Sequence, residues 1–224
     1  MQHKILCSPS YAMIELQLER SESITAESGA MAWMDPGIET KTQARGGISA
    51  GLKRKFLAGE SFFQNTYTAR TGPASLTLCA GSAGDVVAIP LDHEDLVLER
   101  GAFIACDDGV QVDSKFDGFK GLFNEGLFVL RCSGVGMLFF GSYGDITEVE
   151  VDGEYVVDNG YAVAWDPSLS YRLTKARRVR SFLFGDQLLL RFSGRGRLWV
   201  QSRSTRSLAN FVHPFRAVQR SSND

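Results

Sequence analysis

Ten cations crowd the carboxy-terminal part of the chain: Arg172, Lys175, Arg177, Arg178, Arg180, Arg191, Arg195, Arg197, Arg203 and Arg206. Phe182, Phe184, Phe192 and Trp199 are interleaved with them. Guanidinium groups hold phosphates and flat rings stack on bases, so this mixture suits single-stranded nucleic acid. The same charges suit an anionic membrane surface. Arg177, Arg178, Arg180, Arg195 and Arg197 are the candidate anion-contacting residues. Two blander arrangements use the same letters. Alternate arginines on a strand can solvate an outer face while the aromatics fill the core. A basic face can also dock on an acidic face of a neighbouring copy, fixing its register.

Other chemistries are weaker. Gly47-Ile48-Ser49-Ala50-Gly51 fits a nucleophile elbow, with His213 downstream. That elbow needs a strand-to-helix turn over a parallel sheet, and the chain has no alternation of strands with long helices. A glycine-rich loop is the expectation there. Gly46 to Lys55 ends in Lys53-Arg54-Lys55 but lacks the Gly-Lys-Ser/Thr ending of a phosphate loop. His3, His93 and His213 are scattered, and Asp92-His93-Glu94-Asp95 reads as a solvated acidic turn. The expectation is therefore no catalytic residue, no metal and no cofactor.

The 224 residues carry a net charge of −2, but the balance is uneven. Residues 1–169 hold 12 Lys+Arg against 24 Asp+Glu, a net of −12, and residues 170–224 hold 12 against 2, a net of +10. The acidic part would repel phosphate, so any anion site must be local. With 44% hydrophobic residues and 15 Phe, the composition is that of a folded globular protein. The longest uncharged runs, 71–84 and 132–144, are 14 and 13 residues and broken by glycine, short of the ~18 a spanning helix needs. The amino terminus lacks the pattern of a secretory signal, so the expected location is cytoplasmic. Cys7, Cys79, Cys106 and Cys132 read as reduced structural thiols.

The elements that must position these residues read as strands. Ser61 to Thr68 alternates aromatic and polar residues, and Leu188 to Phe192 does so in part. Asp35-Pro36-Gly37, Asp107-Asp108-Gly109, Asp152-Gly153 and Asp166-Pro167-Ser168 mark turns. Short helices are expected at Leu52–Leu57 and, more weakly, at Ser207–Phe211. The chain also repeats itself. Gly29-Ala30-Met31-Ala32-Trp33-Met34-Asp35-Pro36 and Gly160-Tyr161-Ala162-Val163-Ala164-Trp165-Asp166-Pro167 are near copies, with a weaker version at Gly109-Val110-Gln111-Val112-Asp113. Phe56 to Glu60, Leu122 to Gly126 and Phe182 to Asp186 also recur, as do runs starting at Leu76, Met137 and Arg197. Such periodicity predicts duplicated units that share a core. The expected units are 14–87, 88–149 and 150–204, with a tail at 205–224, all in one compact body 1–224.

From Leu18 to Met31, on through Met34 to Glu39, and again at Gly59 to Asn65 and Gly81 to Val87, the chain resembles the altered-inheritance-of-mitochondria family over nearly its whole length. The resemblance implies three tandem units, each similar to one subunit of the tryptophan-RNA-binding attenuation protein. It further implies a short double-stranded β-helix or β-sandwich with few short helices, and assembly into rings. No catalytic residue is implied.

The function expected from these readings is a non-enzymatic, all-β oligomeric scaffold or binding module, self-associating through acidic and basic faces. The alternatives are single-stranded RNA or an anionic surface bound through the carboxy-terminal arginines, and a small molecule held between repeat units.

Overall fold

Period-two burial builds the body. In Met13–Leu18, Ile14, Leu16 and Leu18 are buried while Gln17 faces solvent, because successive side chains on a strand point to opposite faces. A computed structural model describes residues 1–44, 63–117, 127–175 and 188–216. The strands are β1 (Gln2–Leu6), β2 (Met13–Leu18), β3 (Ser23–Glu27), β4 (Met31–Met34), β5 (Ile38–Ala44), β6 (Phe63–Ala69), β7 (Ala74–Cys79) and β8 (Val86–Asp92). They continue as β9 (Leu96–Glu99), β10 (Phe103–Asp107), β11 (Val110–Asp117), β12 (Leu127–Gly141), β13 (Ile146–Asp158), β14 (Ala162–Trp165), β15 (Ser170–Lys175) and β16 (Leu188–Gln201). Among the described residues one α-helix, α1 (Thr205–Val212), runs into a 3-10 turn at His213–Phe215. The protein is all-β with few helices, as its turn punctuation predicts. The expected helix at Leu52–Leu57 lies outside the described residues; the one at Ser207–Phe211 falls within α1.

The strands form two sheets. The smaller has the order β1-β2-β7-β4, and the larger, of twelve strands, runs β13-β16-β14-β9-β12-β10-β3-β6-β5, with β8 and β11 on β12 and β15 on β16. Neighbouring strands pair antiparallel. The long strands β12 and β16 change partners part-way along, and glycine makes the change feasible. Gly134 has φ +114°, and a Cβ there would lie 2.2 Å from the Gly109 carbonyl oxygen.

One local arrangement occurs three times. Against β7, Met31 faces Leu78 and Trp33 faces Thr77, with a bulge between Met31 and Trp33. Against β12 the bulge falls between Phe103 and Ala105, and against β16 between Ala162 and Ala164. An aspartate then closes each copy from beyond or at the end of its short strand. Asp35 Oδ2 accepts the Ser75 N–H (2.7 Å), Asp107 Oδ2 the Met137 N–H (2.8 Å) and Asp166 Oδ2 the Arg197 N–H (2.7 Å).

These contacts correct two details of the sequence repeat. The middle counterpart of Gly29–Asp35 is Gly101–Asp107, eight residues before the expected Gly109. The three recurrent strand ends align as Leu76, Leu138 and Leu198, all fully buried, so the run starting at Leu76 is one residue out of register with those starting at Met137 and Arg197. A slip of one residue moves every side chain to the other face, and only the Leu138 register keeps all three on the inside.

Candidate functional site

Equivalent strands meet unequal surroundings. β10 sits between β12 and β3, where Ala105 faces Ala26 and Cys106 faces Thr25. β14 sits between β16 and β9, where Ala164 faces Leu98 and Trp165 faces Val97. β4 has β7 on one side, and no strand among the described residues pairs with its other edge. Trp33 is consequently 55% exposed, beside exposed Met31 and Met34, whereas Phe103, Ala105, Ala162, Ala164 and Trp165 are buried. A strand edge with unpaired backbone groups and no charge or proline along it is a template for another strand.

The far end of the large sheet has a matching gap. By their pairing with β6, β12 and β16, Ile24-Thr25-Ala26-Glu27, Leu96-Val97-Leu98-Glu99 and Tyr155-Val156-Val157-Asp158 are counterparts. The first two are covered by β10 and β14. Residues Tyr155–Asp158 of β13 pair with β16 alone among the described strands, and Tyr155 and Val156 are exposed.

The arginine candidates divide. Arg177, Arg178 and Arg180 lie outside the described residues. Arg195 and Arg197 lie on β16 directly across from Asp152 and Glu150 of β13. The Arg197 guanidinium donates to Asp166 from Nε (3.1 Å) and Nη2 (3.0 Å) and lies 5.0 Å over the Trp199 ring. This bidentate pair holds Arg197 firmly in its charged form, chiefly through the hydrogen bonds to Asp166. Arg172 approaches Glu154 at 3.8 Å. Intramolecular pairing therefore holds Arg197, through Asp166 just after β14, and Arg172, through Glu154 of β13.

Two features escaped the sequence reading. A polar cavity of about 500 Å³ is lined by Glu27, Glu99, Arg100, Asn159, Gln201 and Arg206, among others. Gln201 is fixed there, donating to the Gly160 carbonyl (2.9 Å) and accepting from the Tyr143 N–H (2.8 Å). Asn159 Oδ1 is shut off from solvent without a partner. Burial pushes the Glu27 carboxyl up to about 7, with Arg100 pulling the other way and Glu99 adding to the rise. Burial likewise raises Glu99, against the Gly101 N–H that donates to it. The second feature is the bare face of α1, the helix expected at Ser207–Phe211: it is capped by the Ser204 hydroxyl, and its Leu208, Phe211 and Val212 together with Phe215 form one exposed apolar stripe. Arg203, Arg206 and Arg216 flank it, and no residue from Thr205 to Arg216 is buried.

The elbow Gly47–Gly51 and the basic segment to Lys55 lie outside the described residues. Among the described residues no three His, Cys, Asp or Glu side chains gather as a metal would require, and no helix is long and apolar enough to cross a membrane. His3 packs edge-on to Phe139, and Asp95 of the acidic turn accepts Arg131 Nε at 2.7 Å. The four cysteines are free thiols, and burial raises the pKa of Cys132 far above the ordinary range.

Fold and surface together define an all-β protein whose strand junction is complete twice and, among the described residues, open at both outer edges. Residues 3–203 match the family described as mitochondrial biogenesis AIM24, and the chain belongs to that family. It is 29% identical over 206 residues to an uncharacterised protein of Streptococcus pyogenes serotype M6, covering 87% of this chain and 83% of that one. A crystal structure of a Streptococcus pyogenes protein superposes with a TM-score of 0.81 at 25% identity, covering 96% of this chain and 99% of the other.

Proposed function

We propose that this protein is a non-enzymatic β-scaffold that works by self-association. The observation that carries the reading is the apolar strip Met31, Trp33 and Met34, exposed on an edge that no described strand pairs although its two counterparts in the same chain are buried. Large apolar side chains at a bare strand edge favour association, by area burial and by backbone pairing. The three bulged pairs support units at about 14–87, 88–149 and 150–204, each similar to one attenuation-protein subunit, in a single body. Charge is a secondary contributor, because Arg197 and Arg172 already have carboxylates within the chain. Sedimentation at moderate and at high salt tests the reading: an oligomer that survives high salt is expected, and a monomer in both removes it.

A second reading rests on α1. Its Leu208, Phe211, Val212 and Phe215 stripe, flanked by arginines with no carboxylate between Gln187 and Asn223, has the make-up of an interfacial anchor for an anionic surface. Flotation with vesicles of mixed neutral and anionic lipid tests it. Binding that falls with salt and is lost in Phe211→Ser with Phe215→Ser supports it, and no flotation at low salt excludes it.

A further inference from the structure

We infer that the polar cavity between the repeated junctions binds a small organic cation, an amine or a guanidine, held by the carboxylates of Glu27 and Glu99. This goes beyond the scaffold reading and does not depend on it. The cavity holds about 500 Å³, and a second void of about 190 Å³ lies against it with Glu99, Ala162 and Gln201 in both walls. Pockets for small molecules span ~300–1,000 Å³, so the space takes a molecule and not only a few waters.

Strand ends build the wall. Glu27 ends β3, Glu99 ends β9 and Gln201 ends β16. Three residues beyond the aligned Leu76, Leu138 and Leu198 stand Cys79, Gly141 and Gln201, so the amide side chain occurs in one copy of three. The repeated backbone scheme does not require it: the Cys79 N–H donates to the Ala30 carbonyl at 2.8 Å just as the Gln201 N–H donates to Tyr161 at 2.9 Å. The Gln201 side chain instead ties Gly160 to the Tyr143 N–H, which fixes the cavity wall. A wall fixed in advance lowers the ordering cost of binding.

The charges set the sign of the ligand. Glu27, Glu99, Arg100 and Arg206 are the charged residues of the described wall. The Glu27 carboxyl is half-buried, and no donor among the described residues reaches it. Glu99 accepts the Gly101 N–H at 2.8 Å. Arg100 acts on both carboxyls, yet burial outweighs its pull on each, so the pair stays short of positive charge. In the empty cavity a proton supplies that charge. An ammonium or guanidinium takes the place of the proton, which leaves to the buffer, and makes charge-assisted hydrogen bonds to the carboxylates. Arg100 and Arg206 limit the ligand to a single positive charge, and Phe128 and Leu188 offer its carbon atoms an apolar wall.

Calorimetric titration of the full chain with benzylamine, butylamine and methylguanidine, at pH 5 and at pH 8, tests the site. At least one should bind once per chain, on the order of tenfold or more tighter at pH 8, where the carboxylates have lost their protons. Glu27→Gln should weaken that binding about 10- to 100-fold and flatten its pH dependence, as loss of a charged partner does. Glu99→Gln is the second variant and should weaken it likewise. Glu154→Gln removes an exposed carboxylate outside the cavity wall and should leave binding unchanged. An equal loss in Glu154→Gln would reduce the effect to surface charge and overturn the site. No binding by any of the three probes would mean a cavity that holds only water, and inorganic phosphate bound in their place would overturn the sign.

Discussion

Trp165 and Trp33 lie one residue apart in equivalent four-residue strands, next to the same bulge and before the same aspartate. Trp165 is fully buried, edge-on to Tyr171 at 5.1 Å and to Phe192 at 5.3 Å. Trp33 stands more than half in solvent. Propensity cannot separate the two, since both belong to short pleated segments with the same hydrogen-bond scheme. The difference lies in what stands beyond the strand. β14 has β9 to lean on, and β4 has nothing from its own chain among the described residues. A repeated unit therefore specifies its own geometry but not its own burial, which is set by the next unit along and is missing at the ends.

Truncation tests that comparison most sharply. Trp165→Ala should cost about 3–5 kcal/mol, because it opens a cavity among packed rings. Trp33→Ala should change the stability of the isolated chain by no more than ~0.5 kcal/mol, as surface substitutions do. Urea midpoints at a concentration too low for association check both. Comparable losses at the two sites would mean that the exposed strip is already part of a packed interior.

The closing aspartates offer a smaller, graded version. Asp166 binds the Arg197 backbone and both ends of its guanidinium fork, whereas the Asp35 side chain holds the Ser75 N–H. Asp166→Ala should cost about 1.5–3 kcal/mol, with Arg197 left without its partner, and Asp35→Ala about 0.5–1.5 kcal/mol at an exposed site. Asp107→Ala, which frees one N–H beside a buried strand, should fall between them. Equal losses from Asp166 and Asp35 would show that the guanidinium fork adds nothing to the backbone clamp.

Much of this architecture was legible beforehand, for identifiable reasons. The turns at Asp35-Pro36-Gly37 and Asp166-Pro167-Ser168 announce themselves because proline and glycine restrict the backbone locally. The all-β class follows from them and from residue alternation. The middle repeat was misplaced because Gly101–Asp107 keeps the Gly, Ala and Asp of the pattern but exchanges Trp33 and Met34 for Ala105 and Cys106, leaving few letters to align. The aspartate clamp was invisible, since a turn aspartate and a cross-strand acceptor look alike in one dimension. The partner of Arg197 was not legible because it is fixed by strand pairing: Asp166 reaches it from 31 positions away. The cavity escaped for the same reason, as Glu27 and Glu99 are brought together by strand pairing and lie 72 positions apart.

That cavity supplies an effect that depends on pH. Glu27 and Glu99 end the two strands whose outer edges are covered within the chain, and their carboxyls are the ones that burial raises. For Glu27 the ordinary value of 4.5 applies to the unfolded chain and about 7 to the folded one. The folded state thus binds the proton more tightly, its contribution is fully present below about pH 4.5, and it is lost as pH rises through about 7. Glu27→Gln keeps the shape and removes the charge, so the variant should match the wild type near pH 4.5 and exceed it at pH 8. The expected gain is about 1–2 kcal/mol, discounted for the solvent that reaches the cavity mouth. Thermal melting of Glu27→Gln and of the wild type at the two pH values checks this, and the same difference at both would mean that burial in the fold does not penalise the Glu27 carboxylate.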